Sequence, residues 1–443
     1  MNNAQKSFHK SRRNELMKRI GKNSIAVIIS NSLRNKSFDA QYKFKQNKNF
    51  YYLTGFDEPD SILVLAPGGI KVKGQSGKTA SVKEILFVPK NDPDYEKWYG
   101  VRLGYERVKQ GLGIEFSMEN IAFNDVVTSL AGFDNDKIYT NIIELYDSDG
   151  ELEEITAPFI NKLRVASSWC QIIDVNFILG EMRKVKLPFE LQLMQKAADI
   201  TAMALNSVLK QLKPGMYEYQ VQALLEYNYI NGGATDIAFD TIIASGSNAC
   251  ILHYITNREK IKDGSLVLMD NGAEYEYYCA DITRTFPANG KFTPEQRTIY
   301  DIVLKANEYG IKLCKSGVKY TSLNKQVKKF MADELVKHKV IKDPDTIGRF
   351  CYHGIGHDLG LDTHDAVPFG KNPQYDTLKE GNVMTIEPGL YFLDYEDGYD
   401  KKYKGIGIRI EDDVLITKTG RKVLTSGITK DPDEIEKIMN TKQ

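Results

Sequence analysis

Two aspartates flank a short polar stretch in the segment MDNGAEYEYYCADITRTF. Asp270 follows the apolar run LVLM and Asp281 begins the return run DITRTF, a pattern typical of a β-hairpin. A turn centred on Tyr275 and Glu276 would place the two carboxylates opposite each other. Opposed ionised carboxylates repel, so the hairpin is either a solvated turn with two tolerated acids or part of a metal site, in which a bound cation reverses the electrostatics.

Two further acids follow apolar strand patterns later in the chain. Glu387 comes directly after VMTI, and Glu411 comes after the alternating isoleucines of GIGIRIEDDVLI. In a strand the three isoleucines share one face, which leaves Arg409 and Glu411 on the other. One acid at a strand end is usually a turn residue, but four of them in one part of the chain favour a metal site.

Histidines add nitrogen ligands to this set. Four of the six histidines lie in Gly-punctuated or strand-like segments: His253, His353, His357 and His364. The spacing from His353 to His357 matches a helical zinc pair, but the intervening glycines weaken a helix and no Glu follows His353, which excludes the zincin motif. Four carboxylates with one imidazole suit a hard or borderline ion such as Mn²⁺. Two ions about 3.5–4 Å apart could share bridging carboxylates and activate one water.

The elements that must position these residues alternate helical and strand-like patterns. From Phe189 a helical pattern runs to the stop KPG, and a second helical stretch, YEYQVQALLEYNYIN, follows it. The same order recurs further along as EQRTIYDIVLKANEYGIKLC, the stop KSG and LNKQVKKFMADELVKH. Because strand-rich sequence follows each helical pair, we predict one α/β domain of two similar halves over residues 176–443.

The N-terminal part predicts a smaller α/β domain over residues 1–175. Its strand-like runs are SIAVIIS, SILVLA and EILFVP, with polar, helix-compatible stretches after them. Between the second and third runs, Gly77-Lys78-Thr79 suggests a phosphate-binding loop, but Val72 stands where that motif requires glycine. We therefore predict a plain hairpin loop there.

Composition narrows the class of protein and its partners. The chain has 59 basic and 59 acidic residues, so no overall field favours nucleic acid or an anionic membrane. The polar N-terminus lacks the apolar core of a signal peptide, and no later stretch is apolar enough to span a membrane, which predicts a soluble cytoplasmic protein. The five scattered cysteines form no CxxC pair, which argues against a disulfide framework and a zinc knuckle.

In this order the candidate residues resemble those of the metallopeptidases of the pita-bread fold, the superfamily of methionine aminopeptidase, prolidase and aminopeptidase P. The matching stretches are LVLMDNGAEYEYYCADITRTFPANGKFT, HGIGHDLGLDTHD, TIEPGLYF and GIGIRIEDD. ASGSNACILHY and YKFKQNKNFYYLTGFDEPDSILVL are similar to the bacterial Xaa-Pro aminopeptidase (aminopeptidase P) family in particular. The resemblance implies a small creatinase-like N-terminal α/β domain for oligomerisation and substrate access. It also implies a catalytic pita-bread α/β domain with pseudo-two-fold duplicated halves.

The resemblance implies a centre of two divalent metal ions, with Mn²⁺ as the expected metal. Asp270 would bind one ion, His357 and Glu387 would complete the other, and Asp281 and Glu411 would bridge both. A hydroxide bridging the ions would attack the peptide bond between an N-terminal residue and a following proline. Glu387 would accept the proton of that nucleophile.

The resemblance also implies roles for side chains that hold no metal. His364 would stabilise the gem-diolate, His253 would orient substrate or shuttle a proton, and His353 would line the proline pocket. Arg409, on the same strand face as Glu411, would hold that ligand in place without binding the metal itself. Trp98, in KWYGVRLG, resembles an N-domain tryptophan that reaches the active site of a neighbouring subunit, and the family implies a homodimer or homotetramer.

Three functions remain open at this point. The first is a Mn²⁺-dependent Xaa-Pro aminopeptidase acting on peptides with proline at the second position, where the tertiary amide has no N–H and requires a shape-selective pocket. The second is an Xaa-Pro dipeptidase (prolidase), which shares the metal residues. The third is a non-catalytic pita-bread binding protein, which the presence of all five candidate ligands disfavours. One departure bears on substrate reach: Ala366-Val367-Pro368 follows His364-Asp365 where such enzymes usually continue HDVG.

Overall fold

The computed structural model describes residues 1–73, 79–123, 126, 135–142, 157–166, 168–365 and 376–441. They form two compact units, Met1–Glu181 and Met182–Gln443. The sequence placed a domain boundary after residue 175, where the helix Asn176–Lys184 begins, and the division between the two units falls within that helix. Among the described residues, every helix is too short or too polar to cross a membrane.

The first unit is built on one mixed six-stranded sheet. The described strands of this unit are β1 (Ser24–Ile29), β2 (Asn35–Ser37), β3 (Ala40–Gln41), β4 (Ile62–Lys73), β5 (Thr79–Val88), β6 (Phe116–Glu119), β7 (Lys137–Thr140) and β8 (Gln171–Asp174), of which all but β2 and β3 belong to the sheet. Its described helices include Asn3–Ile20, Lys48–Thr54, Pro93–Tyr99, Gly104–Leu112 and Ala157–Ala166. The sheet order is β6-β5-β4-β1-β7-β8, with β2 and β3 paired separately. The central strand β1 is buried along almost its whole length, as expected of a strand covered on both faces.

The predicted strand runs of the first unit are β1, β4 and β5. Strands β4 and β5 pair antiparallel on either side of the predicted hairpin loop. Gly77 and Lys78 of that loop lie outside the described residues. The apolar faces of the three strands meet in a core that includes Val27, Val64 and Phe87.

The second unit contains two pairs of packed helices, in the order that the sequence predicted. The described α-helices that lie wholly within this unit are Pro188–Gln211, Glu218–Asn231, Pro294–Leu313, Tyr320–Lys337 and Pro432–Asn440. The third begins with a capping box, because Thr293 and Gln296 exchange side-chain to backbone hydrogen bonds at 3.0 and 3.2 Å. Buried residues recur along the first at helical spacing, including Leu205, Val208 and Leu209, and they join the main core.

Short antiparallel strands follow each helix pair. They are β9 (Asp236–Ile237), β10 (Ile242–Ser245), β11 (Leu266–Asn271), β12 (Ala273–Tyr275), β13 (Tyr278–Cys279), β14 (Ile282–Pro287), β15 (Val383–Ile386), β16 (Gly389–Tyr391), β17 (Gly407–Arg409), β18 (Asp412–Ile416) and β19 (Arg421–Val423). Strands β10-β11-β14 form the central sheet of the first half, and β15-β18-β19 form that of the second. Each half therefore supplies a helix pair and an antiparallel sheet, as expected of a duplicated unit.

The hairpin that carries Asp270 and Asp281 turns one residue later than predicted. The turn residues are Glu276 and Tyr277, with φ of 45° and 70°, and the register pairs Asp270 with Thr283. The predicted direct opposition of the two aspartates is therefore wrong. Because Asp281 lies two residues before Thr283, it is the diagonal neighbour of Asp270 on the same face. The sequence did not reveal this register because neither turn residue is the Gly or Asn that usually marks such a turn.

Candidate metal centre

A cavity of about 710 Å³ in the second unit gathers the candidate residues. The predicted site residues that line it are His253, Asp270, Asp281, His353, His357, His364, Glu387, Arg409 and Glu411. Apolar side chains form another part of the wall: Phe239, Ile242, Leu252 and Ile255. Trp98 belongs to the first unit, where it lies in the helix Pro93–Tyr99 and is 83% exposed. The structure thus brings together every candidate that lies in the second unit.

Three of the candidates form a compact ligand cluster. One ligand atom from each of Asp281, His357 and Glu411 lies within 4.8 Å of the other two. The Nε2 atom of His357 is 3.5 Å from Oδ2 of Asp281 and 3.8 Å from Oε1 of Glu387. This set of carboxylate oxygens with one imidazole nitrogen can hold a divalent cation.

Backbone pairing accounts for the convergence of the two glutamates. Strands β15 and β18 pair Ile386 with Asp412, and β16 and β17 pair Gly389 with Arg409. The two ladders share one register, which places Glu387 opposite Glu411 in the gap between them. Their side chains therefore project from the same face of the sheet. The predicted face assignment also holds, because the alternating isoleucines lie in the core while Arg409 and Glu411 line the cavity.

His357 is held by both its backbone and its ring. Its N–H donates to Oγ1 of Thr385 at 3.1 Å, and its carbonyl accepts the N–H of Thr385 at 2.9 Å. A Cβ added at Gly356 would overlap the carbonyl oxygen of Thr385, so this close approach requires glycine. Ring atom Nδ1 lies 3.1 Å from the carbonyl of Asp358, which can only accept. Nδ1 therefore carries the proton, and Nε2 presents its lone pair to the cluster.

Arg409 connects the remaining aspartate to the cluster. Its Nη2 is 2.5 Å from Oδ2 of Asp270, and its Nη1 donates to the hydroxyl of Tyr391 at 2.8 Å. Its Nε donates to Oγ1 of Thr283 at 3.1 Å, and that hydroxyl donates to Oε2 of Glu411 at 2.6 Å. The predicted link between Arg409 and Glu411 thus runs through Thr283.

The raised pKa values of three carboxyl groups show that burial and mutual repulsion disfavour their ionised forms. Burial, and then Glu411 and Asp270, raise the pKa of Asp281 well above its ordinary value. Burial, and then Glu411, do the same to the pKa of Glu387, while burial followed by Asp270 raises the pKa of Glu411 to about 8. Arg409 is the one lysine or arginine among the described residues that line the cavity. A single guanidinium does not balance four carboxylates, of which Asp281 and Glu411 are buried and Asp270 and Glu387 are partly buried.

The residues fit divalent metal ions. Oδ1 of Asp270 is buried and has no hydrogen-bond partner within the described part of the chain, which is uncommon for a carboxylate that serves only structure. Oxygen-rich donors with one imidazole match the preferences of Mn²⁺ and similar ions. Bound cations would also turn the mutual repulsion of the carboxylates into attraction.

Burial keeps the imidazole of His357 neutral beside the carboxylates. Its pKa is lowered to about 4 by burial and then by His364, whose ring centroid is 4.2 Å from its own. The pKa of His364 is lowered by burial and then by the charge of His253. Both rings are neutral near pH 7, the state that a metal ligand and a hydrogen-bond donor to an oxyanion require.

His353 occupies another side of the cavity. Its Nδ1 lies 2.6 Å from the carbonyl of Gly354 and 3.5 Å from Oε2 of Glu387, and its Nε2 accepts from the hydroxyl of Tyr391 at 2.8 Å. Burial, followed by the charge of Arg409, lowers its pKa to about 3. His353 is thus a fixed, neutral wall residue next to Glu387.

Sequence reasoning missed several side chains that hold this site. Thr283 bonds both Arg409 and Glu411, Thr385 holds the backbone of His357, and Tyr391 bonds both Arg409 and His353. Strand alternation could have found two of them. Thr283 lies two residues after Asp281 and Thr385 lies two residues before Glu387, so each shares a face with a candidate ligand.

Comparison with known proteins covers both units. Residues 192–418 match the family model of Metallopeptidase family M24, and residues 9–139 match that of the Aminopeptidase P, N-terminal domain. The Xaa-Pro aminopeptidase of Escherichia coli (strain K12) is 36% identical over 443 residues, covering 97% of this chain and 96% of the relative. Proline aminopeptidase P II from Yersinia pestis is 34% identical, with a TM-score of 0.87 and coverage of 99% and 100%. Aminopeptidase P from E. coli with the inhibitor Pro-Leu is 35% identical, with a TM-score of 0.87 and coverage of 98% of each chain.

A duplicated α/β unit whose two halves direct carboxylates and a histidine into one cavity defines a metal-dependent hydrolase of the pita-bread class. The matches above extend along nearly the whole chain. The chain belongs to metallopeptidase family M24 and carries the N-terminal domain of aminopeptidase P. The predicted architecture, a small N-terminal α/β domain before a pita-bread domain, is confirmed, as is the predicted metallopeptidase class.

Proposed function

We propose that this protein is an Xaa-Pro aminopeptidase, which hydrolyses the peptide bond between an N-terminal residue and a following proline. The observation that supports this best is the 36% identity, along 97% of the chain, to the E. coli relative of that name. The E. coli structure that carries the inhibitor Pro-Leu adds support. That inhibitor begins with proline, as the product expected of this reaction does.

The proposed cofactor is a pair of divalent ions, with Mn²⁺ as the expected metal. Asp281 and Glu411 would be shared between the ions, Asp270 would hold one, and His357 and Glu387 would complete the other. Ions bound there supply Lewis-acid activation of water and of the scissile carbonyl. The convergence of these donors in one cavity supports the assignment.

Two side chains are our candidates for moving protons and stabilising charge. Glu387 lies within 3.8 Å of His357 and 3.5 Å of His353 inside the cavity. We assign it the task of accepting the proton of the attacking water, while the proline nitrogen takes up a proton and leaves as an amine. His364 is neutral and packs on His357, so its N–H can donate to the gem-diolate oxygen.

The rest of the cavity would select the substrate. Proline contributes a tertiary amide without an N–H and a compact apolar ring, so its recognition depends on shape. His353 would line the proline pocket, and His253, at the exposed rim, would orient the substrate or shuttle a proton to the leaving group. Arg409 would hold Asp270 in place through their ion pair.

The quaternary role of the first unit is also part of the proposal. Trp98 is a large, 83% exposed aromatic side chain, as expected of a residue that serves a site on another subunit. It would reach the active site of a neighbouring copy in a homodimer or homotetramer. We further propose a cytoplasmic location.

The test compares four peptides with protein stripped of metal and then reloaded with Mn²⁺. Ala-Pro-Ala and the dipeptide Ala-Pro report the two candidate activities, while Ala-Ala-Ala and Ala-Ala control for proline specificity. We expect release of alanine from Ala-Pro-Ala only after reloading. Cleavage of Ala-Pro alone would instead identify a dipeptidase, and cleavage of Ala-Ala-Ala at a comparable rate would remove the proline assignment.

A further inference from the structure

Asn307 is a fully buried carboxamide in the middle of the helix Pro294–Leu313. Its Nδ2 donates to two backbone carbonyls, that of Ile386 at 2.8 Å and that of Ile410 at 3.2 Å. Its Oδ1 accepts from Nζ of Lys430 at 2.6 Å. A buried amide is tolerated when its groups are bonded, and both donor hydrogens and the acceptor of Asn307 are used here.

The two carbonyls belong to the residues directly before Glu387 and Glu411. At this point the paired strands are interrupted, because Pro388 has no N–H to donate. The backbone N–H groups of both glutamates are directed elsewhere: that of Glu387 donates to Ile355 at 2.9 Å and that of Glu411 to Thr283 at 3.1 Å. Asn307 therefore joins the two backbone segments across a gap in the sheet.

Lys430 fixes the orientation of this amide. Its Nζ also donates to Oδ2 of Asp412 at 2.6 Å, and Oδ1 of Asp412 accepts from Nη2 of Arg284 at 2.8 Å. A flipped amide would set its NH₂ group against the ammonium and its oxygen against two carbonyls, so only the observed orientation satisfies all partners. The donor side of Asn307 is thus held toward the two glutamate-bearing segments.

We propose that Asn307 is a positioning residue for the metal centre, which sets the spacing of the backbones that carry Glu387 and Glu411 and so the affinity for metal. The inference rests on the ligand assignment of the proposed function. Without the amide, the two segments keep only the long backbone bond from the N–H of Ile410 to the carbonyl of Pro388 at 3.4 Å, so the positions from which the glutamates start are held less firmly. Loss of such a supporting contact typically weakens metal binding by about 10–100-fold.

The test is Mn²⁺ binding to purified, metal-stripped full-length Asn307→Leu, measured by isothermal titration without peptide. Leucine has a similar volume and no charge, so it removes the bridging bonds without changing the net charge near the site. The matched control is Asn382→Leu. Asn382 is equally buried, donates to the carbonyl of Lys184 at 2.9 Å and accepts from the N–H of Lys379 at 2.7 Å, but neither partner adjoins a candidate ligand.

We expect Mn²⁺ to bind about 10–100-fold more weakly to Asn307→Leu and with wild-type affinity to Asn382→Leu. Thermal unfolding of both variants reports any general loss of stability. Folded Asn307→Leu with wild-type affinity, or an equal loss in both variants, would overturn the positioning role. Should Asn307→Leu fail to fold, Asn307→Ala tests the same point, because it also removes both donated bonds and its smaller side chain cannot clash with the surrounding core; unchanged Mn²⁺ affinity there would also overturn the inference.

This experiment separates the inference from the proposed function. Wild-type protein that binds Mn²⁺ but leaves Ala-Pro-Ala intact would refute the peptidase assignment, while the comparison of the variants would still decide the role of Asn307. Wild-type protein that binds no Mn²⁺ would overturn both. Activity adds a further check. A positioning role predicts that added Mn²⁺ restores part of the lost kcat in Asn307→Leu.

Discussion

Replacing Glu411 by glutamine should change the stability of this protein in opposite directions with and without metal. The Glu411 side chain is buried and accepts a 2.6 Å hydrogen bond from Oγ1 of Thr283. Glutamine has nearly the same shape and keeps an oxygen for Thr283, so the substitution mainly removes the charge. Whether that charge stabilises or destabilises the fold depends on the cations that accompany it.

In metal-stripped protein the charge is unfavourable. Burial, followed by Asp270, raises the pKa of Glu411 from 4.5 to about 8. Between pH 4.5 and about 8, Glu411 therefore keeps a proton in the folded state that it has lost in the unfolded state. The stability of the protein falls as the pH rises through this window, and below the window Glu411 has no effect on it. From pH 4.5 to pH 7 is about 2.5 pH units, and at about 1.36 kcal/mol per unit Glu411 lowers the free energy of unfolding at pH 7 by about 3 kcal/mol.

Stripped Glu411→Gln should therefore unfold at a higher temperature than stripped wild type at pH 7. With about 2–4 °C per kcal/mol, the gap is roughly 6–12 °C, and it should close as the pH approaches 4. In Mn²⁺ at about 1,000 times its Kd, the wild type gains about 4 kcal/mol, which exceeds this deficit. The variant lacks one candidate bridging ligand and gains less, so the order of the two midpoints should reverse.

Differential scanning calorimetry at several pH values, with chelator and with Mn²⁺, measures both effects. Glu190→Gln is the matched control, because Glu190 is also buried, burial raises its pKa to about 7, and it does not line the cavity. Its stabilising effect should be the same with and without Mn²⁺. Stripped Glu411→Gln that unfolds below the stripped wild type at pH 7, or a gap that does not depend on pH, would refute the reasoning.

Three further substitutions test other parts of the site. In the wild type, Nζ of Lys186 lies 2.8 Å from the buried carboxylate of Asp365, and Lys186→Met removes this cation. The free energy of unfolding, measured in urea, should fall by about 3–5 kcal/mol. A loss below about 1 kcal/mol would contradict this prediction. Gly356→Ala forces the His357 segment away from β15 and should weaken Mn²⁺ binding at least about 10-fold, whereas Gly348→Ala, with open space around the new methyl group, should bind as wild type. Asp281→Ala should abolish Mn²⁺ uptake and peptidase activity with an unchanged circular dichroism spectrum, and a fully active variant would exclude a bridging role.

The helices and strands were predictable where one face of an element is buried. The helix predicted from Phe189 is observed at Pro188–Gln211, and the runs SIAVIIS and SILVLA are observed as β1 and the start of β4. In each case the apolar period matches the geometry of the element, 3.6 residues for the helix and a continuous run for a strand buried on both faces. Local sequence suffices because burial, rather than a distant partner, selects the element.

The candidate ligands were predictable because acids at the ends of apolar strands are costly unless something binds them. Asp281, Glu387 and Glu411 all fulfil that pattern, and all line one cavity. The contacts that hold the ligands could not be read in the same way. Asn307 looks like an ordinary polar residue on a helix, and its partners lie about 80 and 100 residues away, as do other long-range contacts that only the folded chain brings together.

The buried ion pairs of Asp365, the residue after His364, are another feature that the sequence alone did not predict. Arg183 is 2.6 Å and Lys186 2.8 Å from the carboxylate of Asp365, next to His364. These two cations hold the pKa of Asp365 well below its usual range despite its burial. Nothing local in the sequence pairs residues so far apart, because each is separately compatible with an exposed position.

The two candidate bridging ligands occupy equivalent positions in the duplicated halves. In the first half, pairing of β11 with β14 stops before that of β12 with β13, and Asp281 lies in the gap directly before β14. In the second half, pairing of β15 with β18 stops before that of β16 with β17, and Glu411 lies in the gap directly before β18. Gly272, where a Cβ would overlap the carbonyl of Ala280, and Pro388, which has no N–H, mark the two gaps. A duplication that brings two such gaps together directs one carboxylate from each half to a common centre, which supports the proposal that Asp281 and Glu411 are shared between two ions.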